Sequence, residues 1–413
     1  MVKEAIIIAL AFVGLVVGAG FASGQEVLQY FVSFGLNGFI GMVIAGIIVT
    51  IAGAVFLELG SYYLADEHYT VFANTQHPLV SRFLDISTLI TLFSLGFVML
   101  AGAGANFNQQ FGWPTWIGAV IMVALVVVTG FMDIDKVTRV ISAVTPLIII
   151  AVIVAGVITL RHMPPNVDGL NELATQQKHP NGVFNNWVLS ALNYAGLNLI
   201  VGVSMILVIG GTYFRTREAG FGGIMGGLIF SLMLGTLGIV IFLNLEAVKD
   251  SPMPLLAVYN QLNGGLGVAV AVVIYLMIYN TCVGMFYSLA RRLAAGNEKR
   301  FLPIYLISVA VGFGLSFFGF TKLVSNVYPI LGYVGVIMVV VLTISWAKHR
   351  PMITQEINRR ERLTEIAEGA MTDGKGLTRS ERAEVKTLVS ESEHEDNDLW
   401  DRVQEEVEKT SEE

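Results

Sequence analysis

VVGAGFASGQE, residues 16–26, interrupts the first long apolar run of the chain. Thirteen mostly apolar residues, Ala5 to Val17, lead into it. Three glycines then fall between Gly18 and Gly24, followed at once by Gln25 and Glu26. Hydrophobic character resumes with Val27 and Leu28. Such a stretch is either a small-residue face for close helix packing or a helix broken at membrane depth, where unpaired backbone survives only if it lines a cavity inside the protein. The choice depends on what surrounds it.

The surroundings are membrane-like. The 413 residues are 54% hydrophobic and only 14% charged, whereas a soluble domain carries about a quarter charged residues. Uncharged runs of 18 or more residues recur, which marks an all-α polytopic membrane protein. One cysteine, Cys282, excludes an internal disulfide. The six histidines fall in connecting segments or near the C-terminus, so no transition-metal site and no histidine relay is expected within the membrane. Neither a nucleotide-binding lysine loop nor a catalytic constellation is visible, so the chain reads as neither an enzyme nor an ATP-driven pump. No nucleic-acid partner and no cofactor is implied; Na+ or H+ is the expected coupling ion. The net charge of −7 belongs to one end: residues 351–413 hold 9 Lys/Arg against 18 Asp/Glu.

Hydropathy predicts ten transmembrane helices, at 5–35, 38–63, 84–112, 115–131, 137–160, 183–213, 220–243, 264–290, 301–319 and 323–346. They divide into a first five-helix repeat (1–160), an extracellular connecting loop (161–182), a second five-helix repeat (183–350) and an acidic cytoplasmic tail (351–413). An odd number of spans per half makes the two repeats inverted. With the N-terminus inside, twelve Lys/Arg lie on the inner side and four on the outer, so both termini are expected in the cytoplasm of a cell-membrane protein.

Spans one and six are overlong, and both carry polar interruptions. The second is ALNYAGLNLIVG, residues 191–202. Paired interruptions in corresponding helices point to a transporter's midplane binding site, so helices 1 and 6 are both predicted to be discontinuous. Gly18, Ala19, Gly20, Ser23 and Gly24 would form the first break, and Asn193, Tyr194, Gly196 and Asn198 the second. Freed carbonyls suit a cation, and freed N–H groups suit a carboxylate. Gln25 and Glu26 follow the first break. Glu26 and Glu58 are the two acidic residues well inside the predicted spans, and an intramembrane carboxylate is functional by default. Three roles stay open for Glu26: proton carrier, partner of a substrate ammonium, or cap of its half-helix. Glu58, near the inner end of span two, is read as structural, either reaching the interface or pairing with an inner arginine.

AFVGLVVGAGFASGQE and the five-plus-five plan resemble the YkvI-type family of bacterial membrane proteins. These are similar in turn to carriers of the amino acid–polyamine–cation superfamily and to sodium-coupled symporters with the LeuT fold. The resemblance covers roughly residues 1–350. It implies that the Gly14 and Val17 carbonyls face a cation, joined from span eight (MIYNTCVG) by the Met277 carbonyl and the side chains of Asn280 and Thr281. Asn280 stands where a hydroxyl is more usual. In that fold span three lines the substrate path, which makes Asn106 and Gln109 candidate solute contacts. The sequence therefore reads as a secondary active transporter of a small amino-acid-like solute, coupled to Na+ or H+. The alternative is a non-transporting solute-binding sensor or scaffold that signals to a cytoplasmic partner through its acidic tail. Within that tail, ITQEINRRERLTEIAEGAM is predicted as one helix beneath the membrane, and SESEHEDNDLWDRVQEEVEK as a mobile or docking segment.

Overall fold

In hydrocarbon each backbone N–H and C=O must be paired within its own segment, and the apolar runs accordingly fold as helices. The computed structural model describes residues 2–75, 77–132, 145–161, 167–176, 186–372, 377–392, 399, 400 and 403. All regular structure among them is helical. The first predicted span is three short helices, α1 (Val2–Val16), α2 (Ala19–Ser23) and α3 (Gln25–Tyr30), closed by a 3-10 turn at Val32–Phe34. The second is α4 (Leu36–Tyr62), followed by a short α5 (His68–Thr75). The third, fourth and fifth are α6 (Pro78–Phe111), α7 (Thr115–Thr129) and α8 (Thr145–Arg161); the start of the predicted fifth span, up to residue 144, lies outside the described residues. The connecting segment contains α9 (Val167–Gln176). Then come α10 (Trp187–Thr212) and α11 (Thr216–Leu243), the short α12 (Leu245–Val248) and α13 (Pro254–Leu262), and α14 (Gly264–Ala294), α15 (Glu298–Ser316), α16 (Phe320–Thr372) and α17 (Arg379–Ser390).

Seven of these helices, α4, α6, α10, α11, α14, α15 and α16, are each long and apolar enough to cross a membrane. α7 and the apolar part of α8 are shorter, and α1 to α3 cross only as a set. The helices pack as two groups. α1, α4, α10 and α11 hold one another, while α6, α7, α14 and α15 form the other group. α2 lies between them, against α14.

The interruption in span one is real, but it has two separate points rather than one glycine-rich coil. The predicted interruption in span six is corrected: α10 is a single uninterrupted helix through 191–202. Its polar residues serve neighbouring helices instead. The Asn193 side-chain amide donates to the Pro329 carbonyl at 2.8 Å, in the proline-weakened part of α16. Gly196 lies where any side chain would collide with the Gly332 carbonyl and Val336 of α16, so here the packing role of a small residue holds. Gly196→Val is expected to force α10 and α16 apart, at the 1–3 kcal/mol typical of overpacking or more. Thermal unfolding in detergent should show a melting point lowered by several degrees; an unchanged melting point would refute the close contact.

The boundary drawn at residue 350 falls inside α16, which runs on without a break through Pro351 to Thr372. The acidic segment is docked where it is described. Leu363, Ile366 and Ala367 of α16 and Val385 and Val389 of α17 form a small apolar core with Leu64 and Phe214, joined by Leu399 and Val403. Most of SESEHEDNDLWDRVQEEVEK lies outside the described residues. Glu58 pairs with Arg350 at 2.8 Å and accepts from the Trp346 indole at 2.7 Å, a structural contact at the α4–α16 junction.

Candidate solute and cation site

α1 stops at Val16 because the next two residues leave helical geometry, with Gly18 extended at φ −80°, ψ −179°. The Val17 N–H reaches the Val13 carbonyl at 2.8 Å, and the Gly18 N–H turns back to the Val16 carbonyl at 3.0 Å. Among the described residues the carbonyls of Gly14 and Val17 consequently receive no backbone N–H. The chain re-enters a helix at Ala19, whose N–H donates to Thr281 Oγ1 at 3.4 Å. α2 lasts a little over one turn. The Ser23 hydroxyl ends it, donating to the Gly20 carbonyl at 2.7 Å and accepting from the Gln25 N–H at 3.1 Å. Gly24 then takes φ +80°, a left-handed conformation that suits glycine. A side chain there would also press on the Leu255 backbone of α13.

Across from the Gly18 break stands α14. A cavity of about 370 Å3 runs along the junction, with Gly14, Val17 and Gly18 on one side and Asn280 and Thr281 on the other. It continues past Gly284 and Ser288 to Arg291. The structure thus brings four of the five cation-site candidates to one cavity. Met277 is the exception: it is buried behind the wall, and its carbonyl receives the Thr281 hydroxyl at 3.0 Å. That bond uses the Thr281 proton, and the Ala19 N–H takes one lone pair of the oxygen, so one lone pair is left available.

A second, smaller cavity of about 30 Å3 lies on the far side of the break, and shares Gly18, Val201 and Thr281 with the first. Its polar lining comes from Glu26, Asn198 and Tyr328. The Glu26 carboxylate lies over Gly20, whose missing side chain makes the room; a Cβ at Gly20 would collide with it. Glu26 is only 7% exposed. No basic residue lines this cavity.

Beyond Glu26 the way is closed. The Tyr30 ring lies 5.3 Å from that of Tyr194, and the Phe31 ring 4.9 Å from it. The Ser190 hydroxyl donates to the Tyr30 carbonyl at 2.6 Å, and the Tyr30 hydroxyl to Asn193 Oδ1 at 3.3 Å. In the other direction the larger cavity reaches Arg291, whose side chain is 45% exposed. The pair of cavities is therefore plugged at one end and accessible at the other.

The remaining predicted contacts are placed elsewhere. Gln109 fastens the loop after α12: its amide nitrogen donates to the Met253 carbonyl at 2.9 Å, and its oxygen accepts from the Met253 N–H and the Ser251 hydroxyl. A long amide near the end of α6 meets that loop before it meets any cavity. Asn106 is buried with neither amide atom partnered among the described residues, and it lines neither cavity. Ser23, Gly24 and Gln25 shape the break without lining either cavity, and Asn193, Tyr194 and Gly196 face α3 and α16. Sequence reasoning missed Leu95 and Met99 of α6 and, as a site residue, Tyr328, whose hydroxyl is buried without a partner among the described residues. Leu95 and Met99 carry no polar signal. Tyr328 is flagged only by its place beside Pro329.

No family model matches the chain. It is similar to two proteins of Bacillus subtilis (strain 168). One is the uncharacterized membrane protein YkvI, 25% identical over 348 residues, which is 83% of this chain and 96% of YkvI. The other is the uncharacterized protein YyaD, 24% identical over 336 residues, 81% of this chain and 94% of YyaD. The YkvI-type resemblance carried by the N-terminal motif therefore extends over most of the chain. Among solved structures, the inward-facing conformation of Mhp1 matches with a TM-score of 0.51 at 15% identity, over 84% of this chain and 75% of Mhp1. Mhp1 is a nucleobase-cation-symport-1 family transporter. At that identity the likeness is one of fold: an all-helical membrane architecture of the LeuT type.

Proposed function

We propose that this chain is a secondary active transporter that moves a small amino-acid-like solute across the cell membrane by alternating access, coupled to Na+ or H+. The observation that carries the reading is the broken first helix. Its free Gly14 and Val17 carbonyls share a cavity with Asn280 and Thr281, and the smaller cavity joined to it ends at Glu26, beyond which Tyr30, Phe31 and Tyr194 pack together. A site at the junction of two helix groups, reachable from one side only, is what alternating access requires. The fold likeness to a symporter supports the same reading.

The packing also supports ten spans in two inverted repeats. One helix group joins spans one and two to spans six and seven, and the other joins three and four to eight and nine. Adding five to each member of a pair gives its counterpart, as an internal repeat demands. The arginine-rich ends then face the cytoplasm, both termini are cytoplasmic, and the accessible end at Arg291 is the inner one. Among the described residues only the first span is broken, so the solute meets freed backbone on one side and the side chains of α10 on the other.

In the mechanism that follows, a hard cation takes oxygen ligands from the Gly14 and Val17 carbonyls and from Asn280 and Thr281. It thereby holds α1 against α14. Since α1 and α14 belong to different helix groups, the cation favours the arrangement in which those groups approach, and its release lets them separate. A ligand shifts such an equilibrium only by its differential affinity for the two states. The test is uptake by purified protein in liposomes. Solute entry should require an inward Na+ or H+ gradient and collapse with it; binding without uptake under every gradient would favour the sensor instead. For the ion site, Thr281→Ala should abolish most of the Na+-dependent rise in melting temperature, where occupancy at 100 times Kd corresponds to about 2.7 kcal/mol. Equal Na+ responses in wild type and variant would remove Thr281 from the site.

A further inference from the structure

We propose that the site reads a protonated amine, with Glu26 as its ion-pair partner and the solute's apolar body in the larger cavity. This inference rests on the transporter reading and adds the class of solute to it. Glu26 is more than nine-tenths buried, lines the 30 Å3 cavity, and makes no hydrogen bond or ion pair among the described residues. A carboxylate in that setting is costly unless something positive arrives to meet it. Nothing cationic in the lining does so. The one charged residue of the larger cavity, Arg291, stands at its far mouth and already pairs with Glu298 and the Tyr287 hydroxyl.

The size and walls of the two cavities select among cations. A volume of about 30 Å3 admits a group of one or two water molecules' size. A hard alkali cation needs a nearly complete shell of oxygens, yet most of this wall is apolar, including Leu95, Met99, Leu197 and Val201. An ammonium head needs only a few acceptors, and Glu26, Asn198 and the unpartnered Tyr328 hydroxyl supply them. The adjoining 370 Å3 cavity has the volume of a small-molecule site and walls such as Leu15, Leu92, Met205 and Val283. No unpaired Lys, Arg or His lines either cavity to receive a solute carboxylate. A decarboxylated amine is therefore expected to bind at least as well as the parent amino acid.

The experiment is protection of Glu26 from a hydrophobic carbodiimide, read by mass spectrometry of the labelled peptide from the full chain in detergent. Glu26→Gln serves as the unlabelled control. Methylammonium and isopentylamine are expected to slow labelling at least tenfold, while NaCl and 4-methylpentanoate leave it unchanged. Equal protection by Na+ would make the cavity an alkali-cation site and overturn the proposal. Protection by the carboxylate, or by none of the amines, would overturn it too. If the reagent does not reach Glu26, thermal shift reads the same compounds: stabilisation by isopentylamine that disappears in Glu26→Gln supports the proposal, and stabilisation kept in the variant or absent from both refutes it. Amine binding without uptake in liposomes would sink the transporter reading alone. Driven uptake of a solute lacking an amine would sink this inference alone.

Discussion

Glu26→Gln is expected to lower solute uptake by at least 100-fold while leaving the protein as stable as wild type or more so. The two halves of that result have one cause. Glutamine keeps the shape and hydrogen-bonding reach of glutamate but removes the charge. Losing one partner of a buried ion pair costs roughly 3–5 kcal/mol, and each 1.4 kcal/mol is tenfold, so solute capture should fall by about two to three and a half orders of magnitude. In the unliganded protein, however, the carboxylate has no partner among the described residues, and removing an uncompensated buried charge stabilises. Functional sites commonly carry this kind of stability deficit.

The combination separates the cap role of Glu26 from its two functional roles. If the residue merely capped the half-helix α3, its replacement would cost about 0.3–1 kcal/mol of stability and spare uptake, the reverse on both counts. Glu26→Asp should retain part of the uptake, because the charge survives although it withdraws by one methylene. Gly20→Ala should impair uptake with Glu26 intact, since the new Cβ would occupy the space now taken by the carboxylate. Initial rates in liposomes and melting curves in detergent provide both readouts. An unaltered rate in Glu26→Gln would end its role in recognition.

How much of this was legible in the sequence depends on which physical signal each residue carries. The helical fold and the first break were legible because glycine, glutamine and glutamate at membrane depth contradict their hydrophobic surroundings. The supposed break in span six failed for the same reason that it looked convincing. Asn193, Asn198 and Gly196 are as unusual at that depth as Gly18 or Gly20. However, a polar side chain can bond across a helix interface without disturbing its own backbone, as Asn193 does with Pro329, and a glycine can serve close approach, as Gly196 does against α16. Composition does not distinguish these cases; only the neighbours do. The cation wall of Gly14, Val17, Asn280 and Thr281 came from family resemblance, since backbone carbonyls leave no mark in a sequence. The tail's small core escaped notice because Leu363, Ile366 and Ala367 make a stripe too short to suggest a core, and its other side is built from Leu64 and Phe214, hundreds and scores of residues away in the chain.

Arg360→Met is expected to release the cytoplasmic tail and to lower stability by several kcal/mol, although the residue lies far from either cavity. Arg360 is 2% exposed. Its guanidinium donates to the Ser61 and Tyr62 carbonyls at 2.8 Å each, to the Phe214 carbonyl at 3.2 Å, and to Glu356 at 2.9 Å. Ser61 and Tyr62 end α4, where few intrahelical donors remain for the last carbonyls of a helix and positive charge is attracted. Phe214 follows the end of α10. One side chain of the α16 extension therefore binds the ends of the second and sixth spans together. Burial tends to raise the Glu356 pKa, but Arg360 and Arg359 outweigh it and hold the carboxyl below its ordinary value of 4.5. A depressed carboxyl adds stability that is complete above that ordinary value and is lost as pH falls through the lower folded value. The clamp should accordingly be intact at neutral pH and fail only in acid.

Removing the arginine takes a charged donor from three backbone carbonyls and a partner from Glu356 in a buried place, a change of roughly 3–5 kcal/mol by the measure of broken buried pairs. Trypsin should then cleave near Arg379 and Arg382 in α17 much faster than in wild type, and acidification of the wild-type protein below the ordinary carboxylate range should open the same segment to an acid-active protease such as pepsin. Glu356→Met combined with Arg360→Met should recover part of the lost stability, because two apolar groups replace the pair. Because α4 and α10 both belong to the helix group that carries the broken span, loosening their ends should also alter the rate of solute exchange while leaving solute affinity in place. A variant that resists trypsin like the wild type would mean that the tail is held by its apolar core alone.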